Sequence, residues 1–208
     1  GHGEPMIKGM RHNQAGYTLI ELMIGMAVGL IVLSGALFLY LQIFNVSKTT
    51  LASTQLNREL SILLDTMSGE IRRHGYSASS TGAPYQASSS AGLSVAGSCI
   101  LYGYDVDADG TQNDNENRGF MLNAGKVLFA QTASAACGSS ANWIDLTSLD
   151  AVSVSDLSFS LNIDSATTGS TTSYTRTVGI SITAADPNGS VTSSKNVTVL
   201  IPNNVVEN

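Results

Sequence analysis

The sequence predicts an α+β protein in which one long N-terminal helix packs on an antiparallel β-sheet. Three observations predict it. Leu22 to Ser47 contains neither charge nor proline. Leu56, Leu60, Leu63, Met67 and Ile71 then recur at helical period and form one apolar face. After Ser77 the chain turns to short runs that alternate apolar with polar residues, separated by Ser, Gly and Asn. One helix with a face to bury, followed by strands, is the pattern of an α+β domain.

The helix is expected from Tyr17 to about His74. Its uncharged part is long enough to cross a hydrocarbon core of about 30 Å at roughly 1.5 Å per residue. Lys8 and Arg11 precede it, so the positive-inside rule keeps the N-terminus cytoplasmic and places the rest of the chain across the membrane. The only early charge is Glu21. A lone carboxylate at the start of a membrane span is costly, which points to a role. Gly25 and Gly29 form a small-xxx-small pair that allows close helix approach; the ordinary glycine content of membrane helices accounts for them equally well. Beyond the membrane, Gln55, Arg58, Glu59, Asp65 and Glu70 make the wet side. Gly75 is placed to cap the helix C-terminus, and Arg72 and Arg73 complement its dipole.

The head begins with a loop, Ser77 to Gly92, rich in Ser, Ala and Gly. Strands are expected at Ser98–Tyr104, Gly119–Leu122, Lys126–Gln131, Trp143–Thr147, Ala151–Ile163, Tyr174–Ala184 and Asn196–Ile201. Val178, Ile180 and Ile182 share one face, as do Val197, Val199 and Ile201. Val152 and Val154 are out of phase with Leu157, Phe159 and Leu161, which implies a bulge near Asp156. Asp186-Pro-Asn-Gly189 reads as the turn of a final hairpin. Trp143 reads as a core residue.

Charge is uneven. From Ser77 onward four basic residues face eleven acidic ones, a net of −7. A head this acidic has no footprint for a phosphate backbone, which argues against direct nucleic-acid binding. No catalytic constellation stands out. The histidines are His2, His12 and His74, with no phosphate loop, nucleophile elbow or zinc spacing. The chain reads as a non-enzyme.

Asp105 to Glu116, DVDADGTQNDNE, fits the calcium-loop pattern D-x-[DN]-x-[DN]-G-x₅-E at every specified position. Calcium takes six to eight oxygens. Asp105, Asp107 and Asp109 would supply carboxylates, Thr111 its carbonyl, Asn113 a direct or water-borne contact and Glu116 a bidentate carboxylate. Five of the head's eleven acids fall in these twelve residues. The flanks read as strands, and Gln112 stands where such loops carry an apolar residue. A solvated acidic hairpin loop is the open alternative.

The junction Gln14-Ala15-Gly16 followed by Tyr17-Thr18-Leu19-Ile20-Glu21 resembles the prepilin-peptidase site of the type IV pilin superfamily. In that family a glycine ends the leader, an aromatic residue opens the mature chain and a glutamate stands fifth in it. Gly16, Tyr17 and Glu21 match residue by residue. The leader has no apolar core and no small-x-small cleavage site, unlike a secretory signal peptide. Met6 reads as its start, with Gly1 to Pro5 as an added tag. The stretch Leu60 to Tyr76, LSILLDTMSGEIRRHGY, is similar to the helix end of the PilW family of minor pilins.

The resemblance implies a type IV pilin fold in three parts. These are a leader (1–16), an N-terminal helix (17–76, membrane-spanning over 17–47 and amphipathic over 48–76) and a β-rich head (77–208). It implies cleavage after Gly16, N-methylation at Tyr17, and pairing of Glu21 with a neighbouring subunit's terminal ammonium. It also implies passage from the inner membrane, head in the periplasm, to an extracellular fibre. The partners would be prepilin peptidase, the inner-membrane assembly platform, other minor and major pilins and a tip adhesin. In an oxidising periplasm Cys99 and Cys137 would form a disulfide, against the alternative of two buried thiols. The rival readings are a type II secretion pseudopilin and a membrane-anchored periplasmic binding module.

Overall fold

The structure is a computed structural model that describes residues 18–78, 93–148 and 150–207. The chain divides into two compact units, Gly1–Ser47 and Lys48–Asn208. One helix, α1 (Leu19–Arg72), supplies residues to both.

In the second unit the helix obeys its stripe. Leu56, Leu60, Leu63, Met67 and Ile71 are all buried, and Leu64 joins them. At about 25 cal/mol per Å² of apolar surface removed from water, such a row is what holds a helix onto a sheet. The helix stops two residues earlier than expected, at Arg72, and Arg73–Gly75 form a turn. Gly75 takes φ +80° but donates its N–H to the Gly103 carbonyl at 3.0 Å, not back to a helix carbonyl; the Ile71 carbonyl is met by the His74 N–H instead.

The strands form two antiparallel sheets, where the sequence suggested one. The first is a meander of β1 (Ser94–Ala96), β2 (Cys99–Gly103), β3 (Asn117–Asn123), β4 (Lys126–Gln131) and β5 (Ile144–Asp145), in that spatial order. The second contains β6 (Ser153–Thr168), β7 (Thr171–Ala185) and β8 (Thr192–Glu207), also in order. β6 joins them edgewise: Val154 donates its N–H to Gly125 in the β3–β4 turn, and Phe159 donates to Gly97 in the β1–β2 turn, each at 2.9 Å. Alternate residues of β7 (Val178, Ile180, Ile182, Ala184) face the core with Val199 and Ile201 of β8.

The bulge expected near Asp156 lies at Ser155, where the β6–β7 register shifts between Val154 and Asp156. The final hairpin also forms. Gly189 has φ +68° and donates to the Asp186 carbonyl at 2.8 Å, while the Asp186 carboxylate accepts the Val191 N–H at 2.6 Å. β1 was not anticipated, and β6 to β8 extend beyond their expected ends. The expected loop Ser77–Gly92 lies, beyond Ala78, outside the described residues.

Candidate functional site

Gly16 and Tyr17, the expected processing site, lie outside the described residues. The helix start just after them is described. Thr18 precedes α1, and its Oγ1 accepts the Glu21 N–H at 3.4 Å, half of a Thr-x-x-Glu capping arrangement. Its carbonyl accepts from Glu21 and Leu22 at 3.0 and 3.2 Å. Glu21 therefore sits in the first turn, where the helix dipole favours an anion. Around it Leu19, Ile20, Leu22, Met23 and Ile24 are all exposed. Exposed apolar residues continue on every side of the helix to Val46, and none of them is buried. A surface apolar all round requires lipid, or other apolar helices, as its environment. The N-terminal helix is thus a membrane-type helix carrying one carboxylate.

In the head, Cys99 and Cys137 are bridged, with Cα atoms 5.8 Å apart. Cys99 stands in β2 beside Met121 and Leu128, and Trp143 packs half-buried on that small cluster instead of in the main core. The bridge encloses the acidic loop. It also fastens the segment after β4 to the sheet.

That loop links β2 to β3. One carboxylate oxygen from each of Asp105, Asp107 and Asp109 lies within 4.8 Å of the others. Asp107 and Asp109 are exposed, whereas Asp105 is buried at 2 % exposure. Asp105 Oδ2 accepts the N–H of Ala78 at 2.9 Å and of Gly110 at 3.0 Å. The Ala78 donor, with Gly110 behind it, holds this carboxyl below the usual carboxylate range, so it is charged at neutral pH. Gly110 adopts φ +75°, the left-handed turn the spacing calls for.

Glu116 stands apart from that cluster. It is buried in a single 3₁₀ turn (Asp114–Glu116), where Oε1 accepts the Val106 N–H at 2.8 Å and Oε2 the Asn113 N–H at 2.7 Å. The competing force is a capping box between Asn113 and Glu116. Thr111 enters by its N–H, which Asp109 Oδ1 accepts at 2.7 Å. Asn113 Nδ2 reaches Asp109 Oδ2 at 3.4 Å.

Two polar joints escaped sequence reasoning. Glu70, assigned to the wet side, pairs through Oε2 with Arg118 Nη1 at 2.8 Å and accepts the Tyr104 hydroxyl at 2.9 Å. His74, read as a residue at the helix end, is fully buried between Gly103 and Arg176. For Glu70 the one sequence signal was the run of charges in the helix's last turns; for His74 there was none, since Gly103 and Arg176 lie far away along the chain.

Residues 11–37 match the prokaryotic N-terminal methylation motif. Residues 49–201 match the family model described as prepilin peptidase-dependent protein B. No curated protein and no solved structure matches the chain. The two matches imply processing by prepilin peptidase and assembly with pilin-type partners. They divide the chain as its chemistry does, one on the apolar helix start and one on the amphipathic helix and head. The chain belongs to the prepilin peptidase-dependent protein B family and is a type IV pilin-like or pseudopilin protein.

Proposed function

We propose that this chain is a minor pilin, similar to the PilW family, that primes or caps a type IV pilus. The observation that carries the reading is Glu21, one carboxylate in the first turn of a helix whose apolar side chains up to Val46 are exposed on every side. A plain membrane anchor has no use for that charge, since burying it is costly. A bundle of identical helices does. Once Gly16 is removed, each Tyr17 bears a terminal ammonium, and Glu21 of a neighbour is its counter-charge in an apolar setting. A Cβ at Gly25 or Gly29 would meet nothing within 4 Å among the described residues, which leaves room for the close approach of a second helix.

The course is insertion with the leader inside, cleavage between Gly16 and Tyr17, methylation at Tyr17, and transfer from the inner membrane into the fibre. The head, first periplasmic and then extracellular, serves as a structural surface for other pilins or a tip adhesin. It is not an enzyme and does not bind nucleic acid directly.

Intact mass of the membrane form, with and without prepilin peptidase, tests the first step. The mature chain should begin at Tyr17, and any other N-terminus sinks the reading. Immunogold labelling of sheared surface fibres tests the last. Label on fibres supports the pilus; a protein confined to the periplasm turns the reading to a secretion pseudopilin.

A further inference from the structure

The gathered aspartates of the β2–β3 loop contain an unresolved polar demand. Asp105 is 98 % buried by area, being 2 % exposed, and its Oδ1 has no hydrogen-bond partner among the described residues. A buried, ionised carboxylate oxygen left bare costs several times what a paired one does. The same carboxylate meets those of Asp107 and Asp109, with one oxygen of each inside 4.8 Å. Like charges at about 4 Å repel by about 1 kcal/mol even in water, and by more beside a protein surface. The three ion pairs of the described residues (Glu70 with Arg73, Glu70 with Arg118, Asp145 with Lys126) leave this cluster without a basic partner.

We propose that Asp105, Asp107 and Asp109 bind one calcium ion, with Asp105 Oδ1 as the buried ligand. The donors are hard oxygens, and the spacing Asp-x-Asp-x-Asp-Gly sets three of them around one point. Calcium suits a site that is partly exposed and fills its remaining positions with water and backbone carbonyls; magnesium demands a stricter octahedron. Glu116 stays with Val106 and Asn113 and is not required. The ion's work is structural. Asp105 Oδ2 already holds Ala78, a few residues past α1, so a cation on Oδ1 ties the helix exit, the end of β2 and the loop together. The site is independent of the assembly reading, so a chain that ignores calcium remains a pilin.

The test uses the full chain in detergent micelles, melted in chelator and in calcium chloride at matched ionic strength. Loops of this kind in extracellular modules bind at about 10⁻⁴–10⁻³ M. At ten times the dissociation constant the melting temperature should rise by about 3–6 °C. Asp107→Asn with Asp109→Asn, both at exposed positions, should fold and melt in chelator no lower than the parent, and lose the rise. Terbium luminescence excited through the neighbouring Tyr104 gives a second readout, expected to appear on the parent and to be displaced by millimolar calcium. Any of three results overturns the proposal: equal melting with and without calcium, a rise retained in the double variant, or the same rise with magnesium at the same concentration.

Discussion

His74 and Arg176 meet at 3.3 Å with neither side chain exposed to solvent. Arg176 can only donate, so His74 Nε2 accepts, while Nδ1 faces the Gly103 backbone, 3.0 Å from its carbonyl oxygen and 3.2 Å from its N–H nitrogen. Gly103 belongs to β2 of the first sheet and Arg176 to β7 of the second. One imidazole at the helix exit therefore fastens both sheets, and it can do so only while neutral.

A pH dependence follows. Burial, and then the positive Arg176, lower the His74 pKa to about 4. In the unfolded chain the ring titrates near 6.5. Its contribution is thus complete above about 6.5 and is lost as the pH falls towards 4, where the unfolded chain takes up a proton that the folded chain refuses. The span of about 2.5 units corresponds to a loss on the order of 3 kcal/mol. Unfolding midpoints measured from pH 7.5 to 4 should show the slope, and His74→Gln should flatten it. A parent curve already flat over that window would refute the neutral joint.

Glu21→Ala should leave insertion intact or improve it, because the span loses its one charge. Assembly should fail while cleavage continues. Fractionation for the membrane form, with counts of fibres, gives both readouts, and normal piliation would remove the proposed role of the carboxylate.

Reducing Cys99–Cys137 should lower stability by about 4 kcal/mol, the chain-entropy value for a closed loop of this length. Hydrogen exchange should loosen first between β2 and β5, inside and beside the loop, and last at Leu60–Ile71 of the helix. Uniform loosening would mean that the bridge acts on the whole head alike.

Gly119→Ala should cost about 1–3 kcal/mol. A Cβ there would stand 2.8 Å from the Ile100 carbonyl oxygen and 2.9 Å from the Trp143 ring. The ring can shift, but the carbonyl belongs to the β2–β3 ladder and cannot. Chemical denaturation of the variant measures the loss. No change in midpoint would show that β2 and β3 can part without cost.

The sequence was most legible where one face is wet and the other dry. The stripe from Leu56 to Ile71 is buried as its period required, and β4 runs from Lys126 to Gln131 as expected. The bulge could be read because Val154 and Leu157 fall out of phase. The far ends of β6 and β7, Asp164–Thr168 and Thr171–Ser173, could not, because Ser and Thr on both faces leave no alternation. β1 has three residues, too few for a period. His74 stayed opaque for another reason. Its partners lie 29 and 102 residues away, and no local pattern announces a contact made by tertiary packing. At the acidic loop, spacing grouped Asp105, Asp107 and Asp109, and one carboxylate oxygen of each does lie within 4.8 Å of the others. It could not foresee that backbone donors would take Glu116 first.

All six helix side chains that the head buries lie after Ser47, and none of the exposed apolar ones up to Val46 contributes to that core. The boundary at Ser47–Lys48 is therefore a natural line of dissection. A chain begun at Lys48 would shed its need for detergent and keep every contact that makes the head a head. The same line separates two kinds of surface: upstream the apolar side chains face outward, and downstream Leu56, Leu60, Leu63, Leu64, Met67 and Ile71 are buried.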